Sequence, residues 1–216
     1  MKRILFFITI SFLVACNNEG TSTESGNDTV LGQTEASPII AQVQKTFPQL
    51  FLFLKSGDAQ FAADSFYETG EVKLSGAPAQ PLDEENILKY KKWLIYNKDS
   101  SLALDLYSYN FIINNKEGDP HLESAEPDTE IALVDFKNKT RKRIYFSGPS
   151  YTIWEGAWVQ NGDAVLAGAE IKGEGKRVPL FWYIHLAEGT IQMLEYTGIV
   201  IINMEPYLNK TIKKPL

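Results

Sequence analysis

Apolar residues recur along this chain in three different rhythms, and each predicts a different kind of element. The first is a near-continuous apolar run, Ile4 to Val14, directly behind Met1, Lys2 and Arg3. The second is helical. Ile39, Val43, Phe47, Leu50, Phe51 and Leu54 repeat at three- and four-residue steps, the spacing that lines up one face of an α-helix. Ser37-Pro38 supplies an N-cap followed by proline at the first helical position. Pro48 predicts a kink or stop near Phe47, because its ring removes a donor and restricts the residue before it. Leu50 to Leu54 then reads equally as a further helical turn or a short buried strand. Another helix is expected from Asp83 to about Trp93. Asp83 can cap it, Glu84 and Glu85 suit its first turn, and Lys89, Lys91 and Lys92 fall where the helix dipole favours cations. Leu82 and Ile87 can form a hydrophobic staple across that start.

The third rhythm is alternation. Ala59–Tyr67 and Val72–Leu74 are weak strand segments separated by Thr69-Gly70. From Leu102 the pattern is firmer: Leu102, Leu104 and Leu106 point one way, and Asp105, Tyr107 and Tyr109 the other. Strands are expected over Ile131–Phe136, Arg143–Ser147, Ile153–Gln160, Ala164–Ile171, Leu180–Leu186 and Ile191–Tyr196, with turn residues between them, and Ile199–Ile202 is a final apolar run. Asn161-Gly162 predicts a tight type I′ hairpin, and a basic, frayed tail should close the chain. Strands so close in sequence make an antiparallel meander. The expected fold is mainly β (α+β), a twisted antiparallel sheet or sandwich flanked by the early helices. The Trp-bearing hairpins between Ile131 and Tyr196 also resemble β-propeller blades. Blades repeat every 40–45 residues or so and no such repeat is visible, so that architecture is the alternative.

The start of the chain carries a resemblance of its own. A positive n-region, a short apolar segment and then Leu13-Val14-Ala15-Cys16 resemble the lipobox signal of bacterial lipoproteins. The apolar run is shorter than the roughly 20 residues a membrane-spanning helix needs. The resemblance implies removal of residues 1–15, lipidation of the Cys16 thiol, acylation (palmitate) of the new amino terminus, and a membrane anchor. Asn17 rather than Asp after the cysteine implies outer-membrane sorting, with the side facing the periplasm favoured. Residues 16–36 hold Gly, Ser, Thr, Asn, Asp and Glu around only Val30 and Leu31, a composition that cannot bury a core and reads as a flexible tether. Residues 37–216 form the single β-rich globular domain.

Charge and cysteine usage narrow the chemistry. Loss of Lys2 and Arg3 leaves 19 basic against 27 acidic residues, a formal net charge of −8, which argues against nucleic acid as a partner. Cys16 is the one cysteine, so once lipidated it leaves no thiol for a disulfide, a metal or a nucleophile. Histidine occurs twice, as His121 and His185, without the His-Glu-x-x-His spacing of zinc enzymes. His185 reads as a hydrogen-bonded interior residue. Gly173-Glu174-Gly175-Lys176-Arg177 is a poor match to a phosphate loop, and no cofactor is expected.

Three clusters remain as candidates. Asp119, Glu123, Glu126 and Asp128 belong to an acidic stretch able to offer oxygen ligands to a hard cation such as calcium, or else form a solvated linker. Trp154 and Trp158 would share a strand face with Gly156 between them, a platform on which a sugar or peptide could stack. The plainer reading packs both indoles on the core. Glu155 would serve glycoside hydrolysis only with a second carboxylate about 5–9 Å away. Lys137 to Arg143 places five cations in seven residues at a hairpin tip, either facing anionic headgroups or protecting a sheet edge. The favoured expectation is a membrane-tethered envelope module that binds or scaffolds an envelope protein or glycan without catalysis. An anchored hydrolase of envelope glycans or peptides, and a propeller-like ligand-binding fragment, are the alternatives.

Overall fold

Two short helices begin the described chain because Pro48 starts a helix as readily as it ends one. The computed structural model describes residues 38–115, 120–173 and 176–211. Helix α1 (Pro38–Thr46) stops at Phe47, and α2 (Pro48–Gly57) takes proline as its first residue, where a missing N–H costs nothing. Leu50 to Leu54 is therefore helical, and Ile40, Val43, Leu50 and Leu54 are buried along one side. The next helix, α3 (Glu84–Lys89), is capped by Asp83, whose Oδ1 accepts from the Asn86 amide at 3.0 Å. It ends at Tyr90, earlier than expected, and a looser turn carries Tyr90 and Trp93 into the interior.

The strands form a meander in two main antiparallel sheets. One has the order β1 (Phe66–Lys73), β12 (Thr190–Tyr196), β11 (Lys176–His185), β10 (Ala164–Ile171), β9 (Tyr151–Trp158), with β13 (Val200–Ile201) beside β11. The other runs β2 (Gln80–Pro81), β8 (Thr140–Ser147), β7 (Thr129–Asp135), β4 (Leu102–Asp105), β3 (Ile95–Tyr96). A separate hairpin pairs β5 (Phe111–Asn114) with β6 (His121–Ser124). The sheets are six-, five- and two-stranded rather than four-stranded blades, so the propeller alternative does not hold. The β-rich α+β sandwich does.

Its layers follow from strand alternation. Leu104, Ile131 and Ile144 of the smaller sheet pack with Leu166, Leu180, Trp182 and Ile184 of the larger one, forming the core between sheets. Phe181, Val165, Ala167 and Leu194 alternate with these and face α1 and α2. On the far side of the smaller sheet, Ala103 and Val134 lie under Ile87 of α3. Both faces of both sheets are therefore partly covered, which explains the apolar runs that interrupt simple alternation.

Four sequence expectations need correction. Thr69-Gly70 does not break a strand: β1 is continuous, and a bulge at Thr69 absorbs the irregularity, with Gly70 at φ +152°. Asn161-Gly162 is not a two-residue hairpin. Residues Gln160–Gly162 make a 3-10 turn with Gly162 at φ +81°, closed by the Val159 amide donating to the Asp163 carbonyl. The acidic stretch is not wholly a linker, since His121–Ser124 forms β6, paired with β5. The tail contains α4 (Glu205–Thr211), started by the Asn203 side chain accepting from the Glu205 amide at 2.9 Å. None of the described helices is long and apolar enough to cross a membrane.

Candidate functional site

The indole platform depends on strand alternation, and a bulge alters it. Along β9, Gly156 pairs with Leu166 and Glu155 with Ala167, but Gly168 pairs with Ile153, so two residues, Trp154 and Glu155, oppose Ala167. Such an insertion moves the strand's phase by one. Trp154 is consequently buried in the core beneath the helices. Trp158 packs against the core between the sheets, half-buried, with Nε1 donating to the Ile95 carbonyl at 2.6 Å. The expectation that Trp154 and Trp158 share a face is thus corrected. Gly156 admits close neighbours: a Cβ there would stand 2.6 Å from Leu166 and 3.0 Å from Ile95.

Glu155 keeps the face of Ala157, towards the helix layer. Its Oε1 accepts from the Tyr207 hydroxyl of α4 at 2.5 Å. Burial raises the Glu155 pKa, and the Tyr207 hydroxyl, by stabilising the anion, opposes that rise. No second carboxylate contributes to this shift, whereas hydrolysis by paired acids needs one close by. Glu155 is thus a half-buried carboxyl engaged by a tyrosine hydroxyl.

The acidic stretch is dispersed by the β5–β6 hairpin. Glu123 is exposed and accepts from Asn114 Nδ2 at 2.8 Å, Glu126 is exposed, and Asp128 is half-exposed two residues further along. Among the described residues no group of three His, Cys, Asp or Glu side chains comes together to hold a metal. Asp119 and the lipidation candidate Cys16 lie outside the described residues. His185 is half-buried, with Nδ1 3.4 Å from Asp163 Oδ2 and its ring 4.7 Å from that of Tyr183.

Two cations of the tip, Arg141 and Arg143, prove to be engaged by buried carboxylates. Arg141 donates through Nε and Nη2 to Asp105 Oδ2 at 2.9 and 2.7 Å, and its Nη1 lies 2.6 Å from Glu130 Oε1. Arg143 donates through Nε to Glu130 Oε2 at 2.5 Å. Asp105 and Glu130 are 1% and 2% exposed. Burial works against the Arg141 cation, yet the two carboxylates outweigh it and raise its pKa. Arg143 also lies over the rings of Phe146 and Tyr109. Lys139 pairs with Glu84 at 2.8 Å. Alternation explains the change of role: residues 141 and 143 share one strand face with Glu130 on the neighbouring strand.

No family model, curated protein or solved structure matches this chain. The site must therefore be read from its surface.

Sequence reasoning missed the most suggestive surface feature, a cleft of about 640 Å³ between the end of α3 and the β5–β6 hairpin. Tyr90, Trp93, Ile112 and Ile113 supply apolar surface, and Lys89, Lys91 and Lys92 supply charge. No carboxylate lines it among the described residues. Tyr90 is fixed by its hydroxyl donating to the Phe111 carbonyl at 2.7 Å, and Lys92 Nζ sits 4.3 Å from the Trp93 ring centre. Ile112 is 52% exposed at the rim. The signal was the run Phe111-Ile112-Ile113 next to an acidic stretch, but a three-residue run gains meaning only when the hairpin brings it to α3.

Proposed function

We propose that this chain is a lipid-anchored cell-envelope protein whose β-sandwich binds a ligand rather than converting one. The observation that carries the reading is the cleft between α3 and the β5–β6 hairpin, with aromatic and aliphatic walls and three lysines in its lining, of which Lys89 also pairs with Glu85 and Lys92 donates to the Pro120 carbonyl. Concave apolar surface with a few charged groups is the usual form of a small-molecule site. Within an acidic chain these lysines favour a ligand that couples an apolar body to a negative group. Cys16 would hold the domain at the membrane, with outer-membrane attachment facing the periplasm as the proposed location.

The probe is 8-anilinonaphthalene-1-sulfonate, which joins apolar rings to one sulfonate. Saturable binding should weaken at least tenfold in Ile112→Asp and several-fold in Lys91→Glu, both at exposed positions. Unchanged affinity in both variants would sink the cleft assignment. Palmitate labelling that distinguishes wild type from Cys16→Ser would support the anchor, and equal labelling would end it.

A further inference from the structure

The helix layer presents an apolar ridge to solvent. Leu52 of α2 is 64% exposed, and two clefts meet at it. One, about 710 Å³, runs past Pro48, Phe51 and Phe61 to Lys55. The other, about 360 Å³, runs past Phe53, Pro206 and Tyr207 to Lys210. The Phe53 and Tyr207 rings are 5.2 Å apart, so the floor of the second cleft is an aromatic pair joining α2 to α4. Helical geometry puts Pro48, Leu52 and Lys55 on one face, leaving Leu50 and Leu54 buried on the other.

We infer that this α2–α4 face is the surface the domain lays on an anionic bilayer. The inference rests on the anchor reading above. Two observations choose lipid as the occupant. First, the cleft linings contain Lys55 and Lys210 against the single carboxylate of Asp64, a local charge opposite in sign to the chain's net −8 after processing. Apolar side chains flanked by lysine are the form in which a helix face settles among anionic headgroups. Second, the undescribed amino-terminal segment joins the domain at Pro38, in the same helix layer. A flexible stretch of some 20 polar residues would have an r.m.s. reach of about 25 Å, so an anchor at Cys16 would keep this layer within reach of the bilayer. Tethering raises the local concentration of the surface, and a weak attraction then suffices for docking. Around the β7–β8 turn three of the five cations, Lys139, Arg141 and Arg143, are already engaged by carboxylates.

The test exploits the cysteine count. With Cys16 acylated, Leu52→Cys offers a unique thiol for bimane, and Tyr96→Cys on the other sheet provides the reference. The mature lipidated chain is reconstituted into phosphatidylglycerol–phosphatidylethanolamine vesicles containing doxyl-labelled lipid. Bimane at position 52 should be quenched several-fold more than at position 96. The excess should fall in zwitterionic vesicles and in a Lys55→Glu/Lys210→Glu background. Equal quenching at the two sites, in chains whose Cys16 acyl mass is verified, overturns the docking and leaves the anchor standing. A label shielded at position 52 but unreached by doxyl lipid assigns the ridge to another segment or a second copy, and also overturns it. Absence of acyl mass on Cys16 removes the anchor and the docking together.

Discussion

The hydroxyl of Tyr207 donates to Oε1 of Glu155 at 2.5 Å, fastening α4 to the bulge in β9. Burial raises the pKa of both groups, with the carboxylate adding to the rise at Tyr207 and the hydroxyl opposing it at Glu155. A carboxyl raised from its ordinary 4.5 keeps its proton in the folded chain where the unfolded chain has lost it. Its contribution to stability is complete below that ordinary value and is lost as pH rises through the raised one. Glu155→Gln preserves the acceptor without charge. Thermal melts should therefore match wild type at about pH 4 and show the variant more stable at about pH 7. A variant less stable at the higher pH would mean that the anion itself holds α4.

Removal of Arg141 tests the buried ion network. Asp105 and Glu130 would then lie inside the protein with much of their compensation gone, a loss of the kind that costs about 3–5 kcal/mol. Arg141→Ala should lower urea-unfolding stability on that scale. Arg143→Ala should cost less, since its side chain is 41% exposed and Arg141 still meets Glu130. Replacing Asp105, Glu130 and both arginines with apolar residues should recover part of the loss. Equal, small effects of the two single substitutions would show that the network is not electrostatically important.

Trp154 and Trp158 should separate in experiment because the bulge separates them in space. Trp154→Ala opens a hole under the helices and should cost about 3–5 kcal/mol. Trp158→Phe keeps most of the packing and loses the bond to the Ile95 carbonyl, a change of about 1 kcal/mol. Chemical denaturation reads both. A shared stacking role would instead appear as reduced binding of a sugar or peptide in both variants.

The helix face of α1 and α2, the capped start of α3 and most strands were legible because period and capping are local properties. The bulge at Trp154–Glu155 was not. Nothing local distinguishes Trp154-Glu155-Gly156 from a regular strand, and the extra residue is specified by its partners Ala167 and Gly168. Long-range pairing likewise turned Arg141 and Arg143 from apparent surface cations into partners of buried acids. The α3–hairpin cleft was hidden for the same reason, since Trp93 and Ile112 line one cleft only in the folded chain, with β5 paired to β6. Cys16 and Asp119 were read from sequence alone and lie outside the described residues.

Gly168 is where the meander leaves no room for a side chain. It lies in β10 opposite the bulge of β9, where pairing shifts from Glu155 to Ile153. A Cβ there would stand 2.0 Å from the Thr152 carbonyl oxygen and 2.8 Å from the Trp182 ring. The first neighbour is backbone in a paired strand and the second is a wholly buried indole, so neither can yield cheaply. Gly148 is the natural control, because nothing lies within 4 Å of the corresponding point. Gly168→Ala should lose at least the roughly 1–3 kcal/mol typical of overpacking, while Gly148→Ala should stay within about 0.5 kcal/mol of wild type. If Gly168→Ala instead fails to fold, Gly168→Ala combined with Trp182→Leu should recover soluble protein only in part, since the carbonyl clash persists. Equal stability of the two single variants would refute the close approach of β9 and β10.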